Sequence, residues 1–155
     1  MKKVLLAVCA VVLFAGASFA ATPIKLSLWD RISLPQDDAV HGLELGIGSY
    51  TPELRGVAWN FIFTKTDDAV GWQAGLVTLS KDVVGLQSGL VNLNQGNVKG
   101  VQWGFVNQAK SVNGLQLGFV NIADSGSDFA LQIGLVNFLG DSSIYKVFPF
   151  INLKL

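Results

Sequence analysis

One eight-residue segment recurs seven times along this chain, and its regular spacing limits the fold more than any other feature. The copies at residues 85–92 and 114–121 read GLQSGLVN and GLQLGFVN, so the consensus is G-h-Q-x-G-h-V-N, where h is a large apolar residue. The copies begin at residues 42, 56, 71, 85, 100, 114 and 130, which gives steps of 14, 15, 14, 15, 14 and 16 residues. Such a period indicates a repeat architecture in which each copy forms one structural unit.

Side chains within each copy alternate between two compositions, which predicts a β-strand whose successive side chains face opposite ways. One face of the fifth copy carries Val98, Gly100, Gln102, Gly104 and Val106. The other face carries Lys99, Val101, Trp103, Phe105 and Asn107. A helix would need apolar residues at three- and four-residue intervals, and each glycine would cost it about 1 kcal/mol. The turns are too short for the helical crossovers of βαβ units, so the sequence predicts an all-β fold.

The first architecture compatible with this pattern, and our primary prediction, is an antiparallel up-and-down meander that closes into a small barrel of about eight strands. The palindromic V-G-Q-G-V face would set glycine opposite glycine in neighbouring strands, and residues 145–155 would form a further strand. In a membrane barrel the Leu, Phe and Trp side chains would contact lipid, and the Gly/Gln face would fill the narrow interior. The apolar positions of one copy span only about 13 to 17 Å, which is short for a membrane band of about 25 Å.

The alternative architecture is a β-solenoid in which each copy of 14 or 15 residues forms one coil. The Leu, Phe and Trp side chains would then fill the core, and the glutamines and terminal asparagines would stack into ladders from coil to coil. The recurrent glutamines could equally line a polar passage. These residues are Gln73, Gln87, Gln102, Gln116 and Gln132.

The first twenty residues have the pattern of a cleaved secretory signal peptide. Lys2 and Lys3 precede an apolar run over residues 4–15, and residues 18–20 supply the small side chains that signal peptidase requires. The apolar run is too short to count as a membrane-spanning helix. Cleavage after residue 20 would leave residues 21–155 as a single β-repeat domain.

Few residues of the chain are of the types that catalysis uses. The only cysteine, Cys9, lies within the predicted signal, and the only histidine, His41, is predicted to be a surface or strand-end residue. Asp37-Asp38 and residues 124–128 could bind Ca²⁺ through carboxylate and carbonyl oxygens, but both also serve as polar turns. We therefore assign no catalytic, cofactor-binding or metal-binding residue and predict that the protein is not an enzyme.

Charge and aromatic residues bear on the partners of the protein. Without Lys2 and Lys3 the chain has 9 basic and 11 acidic residues, and no basic patch predicts nucleic-acid binding. The tryptophans could form a stacking platform for sugars or bases. Three of them occupy large apolar positions of the repeat, where packing or lipid contact explains them. The tryptophans are Trp29, Trp59, Trp72 and Trp103.

The G-L-Q-x-G-L-V-N copies, preceded by residues 26–35 (LSLWDRISLP) and followed by residues 148–152 (FPFIN), resemble a family of exported bacterial surface-repeat proteins of uncharacterised function. The resemblance implies a cell-surface or outer-membrane location and no assigned catalytic residue. We predict a structural or barrier protein of the outer envelope with outer-membrane lipid as its partner. The alternative is a soluble periplasmic or secreted binding module that uses its regular β face or its loops to bind a protein or polymer.

Overall fold

A computed structural model describes residues 21–141 and 145–155, and the predicted signal peptide at residues 1–20 lies outside this range. The described residues form ten β-strands and no helix, which confirms the all-β prediction. No described segment forms a helix that could cross a membrane. The strands are β1 (Thr22–Trp29), β2 (Ile32–Leu34), β3 (Ala39–Ala74), β4 (Val77–Ser80), β5 (Asp82–Ser88), β6 (Val91–Asn94), β7 (Asn97–Trp103), β8 (Val106–Leu117), β9 (Val120–Leu139) and β10 (Val147–Lys154).

Each coil consists of two short strand segments that meet at a glycine corner. We call the segment that contains G-h-Q-x face A and the segment that contains V-N face B. In the fifth copy, face A is β7, the corner is formed by Gly104 and Phe105, and face B begins at Val106 in β8. The long strand β3 continues around such corners and contributes to several coils.

Neighbouring coils pair in parallel and place each residue beside its own equivalent. On face A, Gly100 lies beside Gly85 in one neighbouring strand and Gly114 in the other. On face B, Asn107 lies in the same way beside Asn92. The result is a β-solenoid of about eight turns, which was the alternative architecture.

The predicted antiparallel barrel is therefore wrong, and the amide side chains explain why parallel stacking is preferred. The V-G-Q-G-V palindrome is centred on its glutamine, so antiparallel pairing would also bring glutamines together. It would not bring the asparagines together, because they lie well to one side of the centre. Parallel stacking satisfies both amide positions at once, as a buried polar group requires.

Buried glutamines form the first ladder along the interior. Each glutamine Nε2 donates to the Oε1 of the glutamine one coil earlier, as Gln102 does to Gln87 at 2.9 Å and Gln116 does to Gln102 at 2.6 Å. The same Nε2 also donates across the coil to face B, where Gln102 reaches the backbone oxygen of Gln108 at 3.3 Å. Both amide protons are thereby used, and the ladder joins the two faces of the coils that contain its glutamines.

Buried asparagines form a second ladder on face B, and its hydrogen bonds run in the opposite direction. The Nδ2 of Asn92 donates to Oδ1 of Asn107 at 2.7 Å, and Asn107 donates to Asn121 at 2.8 Å. Each asparagine thus donates towards the later coil, whereas each glutamine donates towards the earlier one. The side-chain dipoles of the two ladders consequently oppose each other.

The two glycines of the repeat allow neighbouring backbones to approach closely. Gly100 has a φ of 136°, and a Cβ atom built on it would lie 2.1 Å from the backbone oxygen of Gly85. At the corner, a Cβ atom on Gly104 would lie 2.5 Å from the Nδ2 of Asn92 in the ladder. A side chain at either position would therefore displace the preceding coil.

The seventh copy lacks the first glycine, and the structure provides a local reason. Ala130 is aligned with Gly114, but the register between the two strands shifts between Val112 and Gly114. This irregularity absorbs the longer step of 16 residues before the last copy. The alanine does not have the positive φ of the six preceding glycines in this column.

The interior is narrow, and the side chains that fill it differ from those that the solenoid alternative predicted. Val98 and Gln102 are fully buried, whereas Trp103 is 64% exposed, so the Leu, Phe and Trp side chains at the large apolar positions of the repeat lie outside the core. The predicted opposite face also included Asn107, which points inward because the glycine corner shifts the alternation by one residue. Mostly small side chains fill the apolar interior, namely Val40, Leu54, Ala58, Ala69, Val83, Val98, Ala109, Val112, Ala123, Ala130 and Leu139.

Strands with irregular geometry close both ends of the solenoid. At the first end, β1 pairs in parallel with β3, and the short β2 pairs with β1 in antiparallel orientation. The strand predicted at residues 145–155 is present as β10, but it turns back and runs antiparallel to β9. Asn152 of β10 lies opposite Gln132, the last glutamine of the ladder. Pro149 lies within β10 and lacks the N–H group that an added strand would bind.

Replacement of Gln102 by leucine tests the ladder. The change leaves Oε1 of Gln87 without its donor and removes the acceptor of Gln116, so we expect a loss of about 2–6 kcal/mol in the free energy of unfolding. Chemical denaturation followed by circular dichroism measures this loss. Gln108→Leu, an exposed position in the same coil, is the matched control and should change stability by less than about 0.5 kcal/mol. Equal effects of both variants would contradict the buried ladder.

Removal of residues 147–155 tests the role of β10 as a cap. The last coil would then present unpaired backbone groups, which are a template for pairing with another chain. We expect concentration-dependent association in size-exclusion chromatography with light scattering. Deletion of Leu155 alone, which lies outside the strand, should leave the oligomeric state unchanged. A truncated chain with the same mass distribution as the full chain would show that β10 is not needed as a cap.

Candidate functional site

Large apolar side chains form three adjacent columns on the outside of the solenoid, which we call together the apolar surface. The first column follows the first h position of face A and consists of Ile24, Leu43, Val57, Trp72, Leu86, Val101, Leu115 and Leu131. The second column follows the x position and consists of Leu26, Leu45, Trp59, Trp103, Leu117 and Ile133, and it is interrupted by the buried Ala74 and the polar Ser88. The third, the corner column, follows the second h position and consists of Ile47, Phe61, Leu76, Leu90, Phe105, Phe119 and Leu135.

The corner column is the most exposed part of this surface. Its side chains are between 42% exposed, for Ile47, and 72% exposed, for Phe61. Phe105 and Phe119 stack on each other with their ring centroids 4.2 Å apart. Seven consecutive coils at a spacing of about 4.8 Å make the column roughly 30 Å long. A continuous exposed apolar patch of this extent is unusual for a monomer that contacts only water.

The apolar surface is convex because it continues around an edge of the solenoid. The first two columns lie on face A, the corner column lies at the glycine corner, and the valines of the V-N segment follow on face B. One of these valines, Val136, is 47% exposed. The surface therefore has the shape of a ridge with two sides.

All four tryptophans lie on the apolar side of the molecule. Trp59, Trp72 and Trp103 belong to the columns, and Trp29 ends β1 and packs edge-on against Phe63 at 5.1 Å. Their exposed fractions lie between 43% and 64%. The predicted stacking platform for sugars or bases stays a prediction, because the same exposure suits any apolar partner.

Charged side chains lie mainly at the opposite corner, where face B leads into the next face A. This polar corner includes Asp67, Asp68, Lys81, Asp82, Lys110 and Asp124. The Nζ of Lys81 lies 3.1 Å from Asp67 Oδ1. Within residues 21–141 and 145–155, no charged side chain belongs to any of the three apolar columns. The coil is thus amphipathic, with one apolar and one charged edge.

A groove on face B runs beside the polar corner, and Tyr50 lies at one end of it. The Tyr50 hydroxyl donates to Asp67 Oδ2 at 3.0 Å. Arg31 and Lys65 lie 4.8 and 4.7 Å from the centroid of the Tyr50 ring. Because these two cations already lie over the Tyr50 ring, the ring is a poor platform for stacking a further ligand.

His41 lies at an exposed position near the start of β3. Its Nε2 is 3.1 Å from Oε1 of Glu53, and Arg55 Nε donates to the same oxygen at 2.8 Å. The hydrogen bonds from Arg55 and then His41 lower the pKa of Glu53. The three side chains form a surface cluster that points into solvent.

The two aspartate turns considered for Ca²⁺ lie in different parts of the molecule. Asp37 accepts a hydrogen bond from the Thr22 hydroxyl, and Asp128 accepts one from Asn113 Nδ2 at 3.1 Å. Among the residues that the structure describes, no three His, Cys, Asp or Glu side chains converge in a way that could hold a metal ion.

A buried lysine and glutamate occupy the first positions of the glutamine column. Lys25 is 2% exposed and Glu44 is 0% exposed, and the two residues are neighbours in register. The Nζ of Lys25 donates to Thr51 Oγ1 at 2.9 Å, and this hydroxyl donates to Glu44 Oε2 at 2.5 Å. Burial lowers the pKa of Lys25, and the negative charge of Glu44 opposes that shift. Thr51 thereby links an ammonium group and a carboxylate inside the solenoid.

Sequence reasoning missed this pair, although a signal for it exists. Glu44 lies two residues after Gly42, as Gln73 lies two residues after Gly71. Alignment of the first copy would have predicted an inward Glu44. Lys25 precedes all seven copies, so nothing in the repeat indicates its position.

No protein-family model matches the sequence, and no curated protein or solved structure matches it at a significant level. The resemblance to exported surface-repeat proteins accordingly stays a prediction.

Replacement of Lys25 by methionine tests the buried pair. Glu44 would remain buried without its cation, and we expect a loss of about 3–5 kcal/mol in the free energy of unfolding. The double variant Lys25→Met/Glu44→Gln removes both charges and should recover most of that loss. Denaturant titrations of the wild type, the two single variants and the double variant measure the coupling. Additive losses would show that the two charges do not interact.

Proposed function

We propose that this protein is a non-enzymatic structural protein of the outer envelope that lies on a lipid surface through its apolar surface. The observation that carries the proposal is the separation of apolar side chains and of charged or polar side chains onto opposite edges of the solenoid. An amphipathic helix that lies in a membrane interface has the same separation, with its apolar face inserted by about 5–10 Å. The solenoid repeats this arrangement over seven coils.

The energy available from lipid contact supports this role. A half-exposed Leu or Phe side chain contributes on the order of 1 kcal/mol when lipid covers its remaining apolar surface. The seven side chains of the corner column act together because one rigid sheet holds them. The summed free energy of inserting these side chains exceeds the free-energy cost of immobilising the protein at a surface only when most of them insert. We therefore expect the affinity for vesicles to fall sharply as apolar side chains of the corner column are removed.

The convex shape favours lipid over a second copy of the chain. A rigid partner of the same shape would cover one side of the ridge and leave the corner column at the margin of the contact. Lipid acyl chains adjust to both sides of the ridge and cover the corner column itself. The four exposed tryptophans also suit a boundary between water and lipid, where aromatic side chains are enriched.

An exported location fits this proposal. The predicted signal peptide would deliver residues 21–155 to the envelope, where the apolar surface meets either the outer membrane or the cell surface. The soluble binding module would use the same apolar surface for a protein partner. The two functions differ in whether lipid alone is sufficient for binding.

Tryptophan fluorescence tests lipid binding directly. All four tryptophans are at least 43% exposed, so their emission should shift to shorter wavelength when the apolar surface enters lipid. We expect this shift and co-sedimentation of residues 21–155 with phosphatidylcholine vesicles. A monomer that neither shifts nor sediments with vesicles of any composition would contradict the proposal. A stable dimer in solution with no vesicle binding would instead identify a second copy as the occupant.

Phe105→Asp tests the corner column. Phe105 is 53% exposed, so the variant should fold, while its vesicle affinity should fall by about tenfold or more because a charge replaces an inserted ring. Gln95→Asp makes the same charge change at the exposed polar corner and is the matched control. Partition measurements that show equal losses for both variants would assign the effect to charge rather than to insertion.

A further inference from the structure

We infer that the apolar surface selects anionic lipids, whose phosphate groups bind the cations at its two borders. This inference rests on the proposed lipid contact and specifies its chemistry. The charges of the full chain are balanced, with 11 basic and 11 acidic residues. Their placement on the solenoid is uneven, and that unevenness is the basis of the inference.

The border on face A is the position immediately before the first glycine of each copy. Lys99 occupies it in the fifth copy and is exposed. Arg55 occupies it in the second copy and hydrogen-bonds to Glu53. Two carboxylates reach this border, namely Glu53 and Asp128, which accepts a hydrogen bond from Asn113. Within residues 21–141 and 145–155 Lys99 forms no ion pair, so it contributes a free cation to this border.

The border on face B lies beside Tyr50. Lys65 follows the corner of the second copy in register with Leu79, and Arg31 comes from the turn after β1. Both cations lie over the Tyr50 ring, which holds them at the side of the ridge. Asp67 binds the Tyr50 hydroxyl from the direction of the polar corner.

The two edges of the solenoid therefore carry opposite net charge. The borders of the apolar surface hold four permanent cations, Arg31, Arg55, Lys65 and Lys99, and three carboxylates, those of Asp30, Glu53 and Asp128. The polar corner holds the carboxylates of Asp67, Asp68, Asp82 and Asp124 and the ammonium groups of Lys81 and Lys110. When the ridge inserts, the positive edge lies at the depth of the lipid phosphates and the negative edge points into water. The positive edge then dominates the electrostatic interaction with the lipid, because salt screens the more distant negative edge. The Debye length is about 8 Å at physiological ionic strength.

Partition of residues 21–155 between water and vesicles tests the selectivity. Vesicles of phosphatidylcholine are compared with vesicles that also contain phosphatidylglycerol, at low and high salt. Each lysine near an anionic surface strengthens binding about fivefold. We expect an increase of tenfold or more with phosphatidylglycerol at low salt, which high salt largely removes.

Lys99→Gln and Lys110→Gln form a matched pair within one coil. The two variants lose the same charge, Lys99 at the border and Lys110 at the polar corner. Lys99→Gln should reduce the gain from phosphatidylglycerol about fivefold, and Lys110→Gln should leave it nearly unchanged. Equal effects of both variants, or no gain from phosphatidylglycerol, would overturn the selectivity. Binding to pure phosphatidylcholine in that case would leave the proposed lipid contact standing, whereas no binding to either vesicle would remove both.

Discussion

Two rows of buried primary amides constrain the rest of this structure. No amide in such an interior can rely on bulk water, so each needs partners on the neighbouring coils. A glutamine satisfies this need when the same residue occurs at the same place one coil earlier, and an asparagine when it occurs one coil later. The sequence must therefore repeat with a nearly fixed period, and the strands must run parallel and in register. The narrow space between the faces then admits mostly small apolar side chains beside the amides, so most bulky side chains lie outside.

The same ladders explain why the ends differ from the middle. A row of amides that all donate in one direction leaves an acceptor unused at one end and needs a new acceptor at the other. Oε1 of Gln132 has no hydrogen-bond partner among the residues that the structure describes, and the antiparallel β10 covers this end. At the other end Gln73 donates to Thr66, and Ala58, Glu44 and Lys25 replace glutamine in the column. A buried lysine and glutamate, which are linked through the Thr51 hydroxyl, thus lie beyond Ala58 at this end of the column.

The period, the strands and the alternation within the G-h-Q-x segment of each copy were predictable from the sequence, because side-chain alternation is a local property. Parallel stacking was not, since the V-G-Q-G-V segment looks the same in both directions and only Asn107 and its equivalents distinguish them. The inward orientation of Asn107 depends on the corner at Gly104, which pattern alone does not locate. The sequence predicted which positions of the candidate surface are apolar. It did not predict that they form one ridge, because that requires the coils to stack in register.

The apolar character of that ridge does not follow from the fold. The amide ladders require bulky residues to lie outside, yet they place no demand on whether those residues are apolar. The polar corner shows that the same backbone accepts Asp67, Lys81 and Lys110 at outward positions. Ser88 shows that a polar side chain fits even within the second column, where its Oγ accepts a hydrogen bond from the Trp72 indole at 2.8 Å. The apolar residues at all other column positions are therefore not a requirement of the ladders. They are the feature that the proposed lipid contact would explain, because a deformable lipid phase can cover both sides of the ridge.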